Sequence, residues 1–327
     1  MKYNSLFENF KGKKILVIGD LMLDTYVLGK VTRISPEAPV PIIALDKKEN
    51  RIGGAGNVAL NLMHLGAKPN VVSVIGTDSE GNDLMELFHK RGIPINGIIK
   101  SEHRKTTVKT RVISSKQQIL RIDSEDTHPI SAEIENSLHE KISDLIQDGF
   151  EAVIIEDYNK GVLTKKTIQF IIELANKNNI PVAADPKKDH FYDYSGLTLF
   201  KPNLKELKEG MNVEFDFIAD KSIFEQSVRQ LREQIPHDIT LVTLSENGVY
   251  AIDESQSCYA KAHPRDITDV SGAGDTVIAT ATLCYVCGAS LKEIAQISNI
   301  AGGMVCEKPG VVSISIKELQ NEVEKLL

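Results

Sequence analysis

The chain has 327 residues, of which 42% are hydrophobic and 6% aromatic, and it carries a formal net charge of −7. This size and apolar content predict one large domain over residues 1–327 with a small appendage. The acidic balance, with a pI near 5.7, argues against nucleic acid or an anionic membrane as the principal partner. No apolar run approaches the roughly 20 residues of a membrane span, and residues 1–5 lack a signal-peptide apolar region, so we expect a cytoplasmic protein.

Short β-branched runs alternate with helical periodicity along most of the chain. The predicted buried strands are 15–18, 71–75, 152–155, 182–184 and 240–244. The predicted helices between them include 55–65, 79–91, 132–146 and 165–177. Alternation of this kind predicts an α/β fold with a doubly wound, mainly parallel sheet.

Two regions break the alternation, because strand-like runs follow each other there without a helix. They lie within about 24–53 and 95–123, and the second contains a hairpin pattern in which 106–113 and 118–122 flank Ser114-Ser115-Lys116. We expect strands from both regions to form a small sheet outside the helical layers. A small sheet with one apolar face needs another surface that shields this face from water.

The segment Asp269-Val270-Ser271-Gly272-Ala273-Gly274-Asp275 leads into the apolar run 276–287. Free backbone N–H groups and the positive end of the helix dipole make such a turn an anion site. A bound anion would repel the neighbouring Asp275 carboxylate, which therefore suits a general base for a hydroxyl that attacks a phosphate. The alternative is an aspartate that merely favours the first helical turn.

The octapeptide Asp-Val-Ser-Gly-Ala-Gly-Asp-Thr at 269–276 resembles the signature of the ribokinase (PfkB-type) family of carbohydrate kinases. The resemblance implies a ribokinase-like fold, ATP with Mg²⁺ as cofactors, and a β-sheet lid over the sugar that often pairs with a second subunit to form a homodimer. It also implies that Asp275 deprotonates the sugar hydroxyl, while Gly272, Ala273 and Gly274 hold the transferred phosphoryl group.

Two further segments match sugar-binding positions of that family. Asp24 follows the first predicted strand, where ligands of open α/β sheets bind, and it matches the sugar-binding aspartate. Its alternative is a turn or cap aspartate, and the role of Asp20 stays open. Gly53, Gly54 and Asn57 match the double-glycine motif that holds sugar hydroxyls.

The stretch 54–59 also fits the Gly-x-Gly-x-x-Ala dinucleotide fingerprint, which raises an oxidoreductase as an alternative. That fingerprint requires an apolar strand directly before it. Residues 46–51 are polar, which favours the kinase motif.

The nucleotide site has weaker matches. Asn203 and Glu206 fit an Asn-x-x-Glu element that helps to place magnesium, with Glu206 acting through water, although the same pair fits an ordinary capping box. The sequence lacks the P-loop pattern. Further matches to nucleotide-binding positions are Thr243, Ser245, Gly248 and Asn299, with Ser245 standing where a glycine is usual. Asp269 and Ser271 match an activating site for a monovalent cation such as K⁺.

The segment 32–41 is similar to the lid of bacterial D-glycero-β-D-manno-heptose 7-phosphate kinases, and the likeness extends through 157–161 and 185–187. It implies phosphorylation of the anomeric hydroxyl to the 1,7-bisphosphate, in ADP-heptose biosynthesis for lipopolysaccharide or other surface glycans. Asp157 and Lys160 join the substrate candidates. The predicted hairpin offers the cations Lys105, Lys109, Arg111, Lys116 and Arg121 for a substrate phosphate. Lys109 and Arg111 share one face of a strand, and Arg33 is a third candidate.

Two other functions stay open: a kinase of another sugar or sugar phosphate, and a sugar-binding regulator without turnover. Some members of the resembled family carry a nucleotidyltransferase domain with a His-x-Gly-His element, which we do not expect here. The four cysteines, two of them in the pair Cys284 and Cys287, are expected to be reduced and buried rather than to bind metal or act in redox chemistry.

Overall fold

A computed structural model of the chain describes residues 3–115 and 117–327. Its strands in chain order are β1 (Lys14–Gly19), β2 (Leu21–Ile34), β3 (Pro41–Gly54), β4 (Lys68–Gly76), β5 (Gly97–Ser101), β6 (Thr107–Ser114), β7 (Gln117–Ser124), β8 (Ala152–Glu156), β9 (Val182–Asp185), β10 (Leu197–Phe200), β11 (His237–Thr243), β12 (Val249–Ile252) and β13 (Ser257–Ala260). Its α-helices are α1 (Asn4–Phe10), α2 (Ala55–His64), α3 (Ser79–Arg91), α4 (Ala132–Ile146), α5 (Lys165–Lys177), α6 (Leu204–Met211), α7 (Lys221–Gln234), α8 (Ala273–Val286), α9 (Leu291–Cys306) and α10 (Ile316–Leu326).

A nine-stranded sheet forms the centre of the molecule, in the order β13-β12-β11-β10-β9-β8-β1-β4-β5. The strands from β5 to β11 pair in parallel, and β12 and β13 add an antiparallel edge. Strand β1 lies inside the sheet, with Val17 opposite Val71 on one side and Ile154 on the other. The predicted doubly wound α/β sheet is confirmed.

Apolar clusters cover both faces of this sheet, as the alternation of side chains along a strand requires. In β1, Ile15 and Val17 belong to the cluster with α2, α8 and α9, whereas Leu16 and Ile18 belong to the cluster with α4, α5 and α7. Helix α8 is buried along most of its length and lacks a polar stripe, which is typical of a helix inside a large protein. This packing fixes the start of α8 against the edge where the parallel strands end.

Three of the predicted helices begin at residues whose side chains cap the helix, as the sequence indicates. Helices α3, α4 and α5 begin and end where the pattern predicts. For example, the Asp78 side chain accepts a hydrogen bond from the Gly81 N–H, and Gly92 ends α3 with a φ of 70°.

One assignment is wrong. Strand β5 was expected in the small sheet, since it lies within 95–123, but it pairs in parallel with β4 at the edge of the large sheet. The physical reason is the crossover through α3, which returns the chain beside β4 and favours parallel pairing.

The small sheet has the order β3-β2-β6-β7, and we call it the lid sheet. Strands β6 and β7 form the predicted hairpin; Lys116, in its turn, lies outside the described residues. Asp24 pairs with Lys109 and Tyr26 with Arg111, so these four side chains share one face. The opposite face carries Val27, Val112, Leu120 and Ile122, and the last two are more than half exposed. The lid sheet is therefore polar on one face and has uncovered apolar side chains on the other.

Among the helices of the described residues, none is both long enough and apolar enough to cross a membrane.

Candidate active site

The motif at 269–275 forms a tight turn at the start of α8. Gly272 has a φ of 79°, and a Cβ atom placed on it would lie 2.7 Å from Asn57 Nδ2. The position therefore requires glycine. A Cβ on Gly274 would lie 3.4 Å from Asp185 Oδ2 and 3.6 Å from Lys201 Nζ, so the turn rests directly on that ion pair. The helix start, with its backbone donors, faces the carboxyl-terminal edge of the sheet.

The Asp275 carboxylate lies at the start of α8, and the residue is only 4% exposed. Its Oδ2 accepts a hydrogen bond of 2.6 Å from Asn57 Nδ2, and its Oδ1 accepts one of 2.7 Å from the Tyr158 hydroxyl. Burial raises the pKa of Asp275, and these two hydrogen bonds oppose the rise. A carboxylate has about four acceptor positions, so two remain for an incoming hydroxyl. The arrangement suits a general base.

Asn57 was expected to hold sugar hydroxyls, but its amide group binds Asp275 in the described contacts. The side chain of Asn61 supports it, donating to the Asn57 carbonyl oxygen at 2.9 Å. Asn61 Oδ1 in turn accepts a 3.0 Å hydrogen bond from the Thr276 hydroxyl, which ties α2 to α8. The amide group of Asn57 is therefore engaged by the Asp275 carboxylate.

Two lysines that the sequence analysis did not assign lie beside this turn. Lys201 Nζ is 2.7 Å from Asp185 Oδ2, and Lys187 Nζ is 2.6 Å from Glu206 Oε1 and 3.4 Å from Asp185 Oδ1. Burial would lower the pKa of Lys187, but the charges of Asp185 and Glu206 raise it instead. Both lysines thus lie beside the start of α8, each paired with a carboxylate, in a chain without a P-loop. Lys201 is only 2% exposed and directly follows β10, which the strand prediction missed.

Glu156, at the end of β8, was also missed. It is fully buried, and neither carboxylate oxygen has a hydrogen-bond partner in the described structure. Burial, together with the charges of Asp185 and Asp275, raises its pKa well above the usual value. Its neutral form is therefore favoured.

Asn203 and Glu206 form the predicted capping box. Asn203 Oδ1 accepts from the Glu206 N–H and Glu206 Oε2 accepts from the Asn203 N–H, both at 2.8 Å. Glu206 Oε1 is occupied by Lys187. Among the described residues, no three His, Cys, Asp or Glu side chains gather around a possible metal position. A magnesium ion at Glu206 would thus take most ligands from water and the nucleotide, as Mg²⁺ commonly does.

Two of the nucleotide candidates, Gly248 and Asn299, lie against residues 260–262. Thr243 pairs with Asn203, which joins this region to the capping box. A Cβ on Gly248 would lie 2.1 Å from the Ala260 carbonyl oxygen, and Asn299 Nδ2 donates to the Lys261 carbonyl oxygen at 2.8 Å. Ser245 has a φ of 52°, which explains on physical grounds why glycine suits that position.

Asp20 fixes the loop that carries residues 157–162. Its carboxylate accepts hydrogen bonds from the N–H groups of Tyr158 at 2.8 Å, Lys160 at 3.1 Å and Val162 at 3.2 Å. Its acceptor positions are therefore engaged by backbone, which assigns Asp20 to the architecture of the site.

The substrate candidates Asp157 and Lys160 lie on that same loop, and both have partners. Asp157 accepts from the Asn159 N–H at 2.8 Å and from the Tyr194 hydroxyl at 2.9 Å. Burial raises its pKa to about 6. Lys160 Nζ lies 2.8 Å from Glu125 Oε1. The charge of Lys160 is thus partly neutralised before any substrate binds.

The cations of the lid sheet differ in what they contact. Arg111 forms an ion pair with Asp24, and Arg121 forms one with Asp123 at 2.9 Å. Lys105 is exposed, and Lys109 faces the Tyr158 ring, 5.4 Å from its centroid. No ion pair to a carboxylate forms at Lys109 among the described residues.

Arg33 is not brought to this cluster. It is exposed near the far end of β2. At about 3.3 Å per residue it lies roughly 30 Å along the strand from Asp24. The structure thus does not bring Arg33 near Asp24, and a role of Arg33 in holding the substrate phosphate stays a prediction.

The glycines before α2 approach the lid side chains closely. A Cβ on Gly53 would lie 2.4 Å from Asp24 Oδ2, and Gly54 has a φ of 60°. Strand β3, which they end, pairs antiparallel with β2. The dinucleotide fingerprint requires a parallel βαβ unit at this point, so the oxidoreductase alternative loses its structural basis.

We expect Gly53→Ala to raise the KM for the sugar, because the added methyl group displaces the Asp24 carboxylate. Loss of a hydrogen bond to a charged group predicts an increase of roughly 10-fold or more, with little change in the KM for ATP. Steady-state kinetics against each substrate measures this. Gly56→Ala is the control, since its Cβ would meet Ile52 and Phe88 instead and should lower the melting temperature without raising the sugar KM. An unchanged sugar KM in Gly53→Ala would remove Asp24 from the sugar site.

Comparisons with known proteins agree with this geometry. Residues 12–318 match the model of the pfkB family carbohydrate kinases. Proteins named bifunctional protein HldE from Sulfurimonas denitrificans and Methylobacillus flagellatus are 40% and 41% identical to this chain. The matches cover 94% and 95% of this chain and 63% of each relative. The chain thus spans less than two thirds of the length of these relatives.

Solved structures show the same fold at low sequence identity. Escherichia coli phosphofructokinase-2 in complex with potassium superposes with a TM-score of 0.79 at 20% identity, covering 96% of this chain and 99% of that one. Arabidopsis thaliana ribokinase complexed with ribose and ATP gives a TM-score of 0.74 at 17% identity, with 96% and 99% coverage. The family match over residues 12–318 carries the assignment: this chain belongs to the pfkB family of carbohydrate kinases.

Proposed function

We propose that this kinase transfers the γ-phosphoryl group of ATP to the anomeric hydroxyl of D-glycero-β-D-manno-heptose 7-phosphate, giving the 1,7-bisphosphate. The observation that carries the reaction type is the Asp275 carboxylate, held by two donors at the N-terminus of α8. The choice of sugar is supported by the segment 32–41 and by relatives about 40% identical over nearly the whole chain. Its product would feed ADP-heptose biosynthesis for surface glycans, and a cytoplasmic location remains a prediction.

In this mechanism Asp275 accepts the proton of the anomeric hydroxyl as its oxygen attacks the γ-phosphorus. The N–H groups at Gly272, Ala273 and Gly274 would hold the transferred phosphoryl group, with Lys201 and Lys187 near enough to balance its charge. Magnesium, when bound, neutralises the nucleotide phosphates, and Glu206 would hold it through water.

A monovalent cation such as K⁺ is a further proposal, at the turn of Asp269 and Ser271. Asp269 accepts hydrogen bonds of 2.9 Å from the N–H groups of Ser271 and Gly310. This carboxylate joins the motif turn to residues 309–311. A cation there would therefore depend on backbone oxygens as well as on the Asp269 side chain.

For the substrate phosphate, the proposal rests mainly on Lys109. Within the part of the chain that the structure describes it forms no ion pair with a carboxylate, whereas Arg111 is paired with Asp24. Burial lowers the pKa of Lys109, and repulsion from the nearby charge of Lys160 lowers it further, whereas the charges of Asp24, Glu125 and Asp123 act in the opposite direction. A dianionic phosphate would relieve that repulsion.

We expect Asp275→Asn to lower kcat by about 10²–10⁴-fold, because the amide cannot accept the proton. A coupled ADP-release assay measures the rate, and ATP-induced thermal stabilisation confirms that the nucleotide site persists. Asp253→Asn, the same change in the turn between β12 and β13, should keep the wild-type kcat. If Asp275→Asn keeps more than half of the wild-type rate, Asp275 is not the general base. If the wild-type protein is inactive with every sugar tested, the non-catalytic regulator is favoured.

We expect heptose 7-phosphate to be used with a much higher kcat/KM than unphosphorylated heptose. Lys109→Ala should lower the ratio of these two kcat/KM values by roughly 10–150-fold, because a charged hydrogen bond is lost. Steady-state kinetics on both sugars gives this ratio. Lys105→Ala is the matched control, because Lys105 is an exposed lysine of the same region with only its backbone N–H engaged. Equal kcat/KM for the two sugars would favour a kinase of another, neutral sugar.

We propose that two copies of the chain associate through the apolar face of the lid sheet, since Leu120 and Ile122 are 54% and 53% exposed there. Light scattering after size exclusion should give twice the 36.1 kDa chain mass. Leu120→Glu should shift the protein to monomer, because it buries a charge in the interface. Ile218→Glu, at a site that is 71% exposed and outside the lid sheet, should not. A wild-type monomer would contradict the proposal.

A further inference from the structure

Tyr158 has no assigned role, although it contacts the base directly. Its hydroxyl donates to Asp275 Oδ1 at 2.7 Å. Its ring centroid lies 5.4 Å from Lys109 Nζ, which belongs to the lid sheet, and 5.5 Å from Lys187 Nζ, which follows β9. Tyr158 therefore contacts the base, a lysine of the lid sheet and one of the two lysines beside the start of α8.

The backbone of Tyr158 is fixed from two neighbouring strands. Asp20, at the end of β1, accepts hydrogen bonds from the N–H groups of Tyr158 and Lys160. The Asp157 N–H donates to the Asp185 carbonyl oxygen at the end of β9, at 3.2 Å. These hydrogen bonds restrict the loop that carries Tyr158. They therefore hold its hydroxyl in position beside Asp275.

The surroundings of Asp275 make this donor important. Asp185 from β9 and Glu156 from β8 are acidic groups near it, Lys201 after β10 is the nearby cation, and Asn57 on α2 is the other donor. Burial raises the pKa of Asp275, and Asp185 raises it further. The hydrogen bonds from Tyr158 and Asn57 and the charge of Lys201 act in the opposite direction. A base buried among carboxylates depends on such donors to stay ionised.

We propose that Tyr158 is a positioning residue for the catalytic base: its hydroxyl orients the Asp275 carboxylate and stabilises its charged form, and its ring connects the base to the lid sheet through Lys109. This inference rests on the proposed kinase function. The Tyr158 oxygen keeps its own proton throughout. The proton of the sugar hydroxyl goes to Asp275, which retains free acceptor positions for it.

The test is Tyr158→Phe, which keeps the ring and both lysine contacts but removes the donor. The kcat/KM for the sugar at neutral pH should fall by roughly 10–150-fold, the value of a hydrogen bond to a charged group. Without the donor the pKa of Asp275 rises, and because the base must be ionised, the acidic limb of the pH profile moves to higher pH. The defect should therefore be larger at low pH than at high pH. A purely structural defect would lower kcat/KM by the same factor at every pH.

Tyr194→Phe is the matched control. It removes another buried tyrosine hydroxyl, one that donates to Asp157 at 2.9 Å, and the pKa of Asp157 is about 6. If Asp275 governs the acidic limb, Tyr194→Phe leaves the limb in place. If the limb moves in Tyr194→Phe and not in Tyr158→Phe, the proposal is overturned.

A second variant keeps the test decisive if Tyr158→Phe unfolds. Replacing Tyr158 with 3-fluorotyrosine retains the side chain but makes the phenol more acidic and hence a stronger donor. The acidic limb should then move to lower pH, opposite to the phenylalanine variant. An unmoved limb would overturn the role of Tyr158 while leaving the kinase assignment intact, since that assignment fails only if the wild-type enzyme is inactive or Asp275→Asn stays active.

Discussion

The site is built around one constraint, the need to keep a buried carboxylate ionised. Asp275 lies at a helix start among Asp185 and Glu156, where burial and like charge favour the neutral acid. Two short hydrogen bonds and the charge of a nearby lysine oppose that rise in its pKa. The donors come from α2 and from the loop after β8. Segments that are distant in the sequence must therefore pack together to favour the ionised form of Asp275. Glu156, in contrast, has no hydrogen-bond partner among the described residues, and its raised pKa favours the neutral acid.

The proposed phosphate site consists of the start of α8 and the two lysines beside it, and it lacks a P-loop. Lys187 and Lys201 are paired with Asp185 and Glu206, so the net charge of these four groups is close to zero before ATP binds. Buried ion pairs of this kind stabilise the fold weakly, because desolvation offsets much of the attraction. Their value lies in keeping two lysine side chains fixed beside the start of α8. A bound phosphate would then compete with the carboxylates for donors that are already in place.

The sequence predicts those parts of the fold in which local pattern and tertiary packing agree. Helices α3, α4 and α5 are amphipathic with side-chain caps, and their bounds are predicted correctly. Strand β10 has only four residues, too few for a periodic pattern to stand out, and missing it also concealed Lys201. Strand β5 was placed in the wrong sheet, because two isoleucines after a turn fit either sheet and only the crossover through α3 decides.

The candidate site was predictable in its motifs but not in its contacts. The segment 269–275 and the pair Asn203 and Glu206 can be found as contiguous patterns. The contact between Tyr158 and Asp275 joins residues separated by 117 positions, and nothing local indicates it. A Tyr between Asp157 and Asn159 reads as a loop residue, although a polar loop directly after a buried parallel strand does indicate the functional edge. Ion pairs such as Asp24 with Arg111 are equally non-local.

The lid sheet shows how charge pairing narrows the choice of ligand contacts. Arg111, Arg121 and Lys160 each have a carboxylate partner, so recruiting any of them to a phosphate would leave Asp24, Asp123 or Glu125 without its cation. Among the described residues Lys109 forms no such ion pair, and its Nζ lies over the Tyr158 ring, so binding an anion would separate no ion pair. Because that ring carries the hydroxyl on Asp275, a ligand that draws Lys109 away changes the surroundings of the base as well. If Lys109 binds the substrate phosphate as proposed, binding at the lid sheet and the surroundings of Asp275 would be coupled through the Tyr158 side chain.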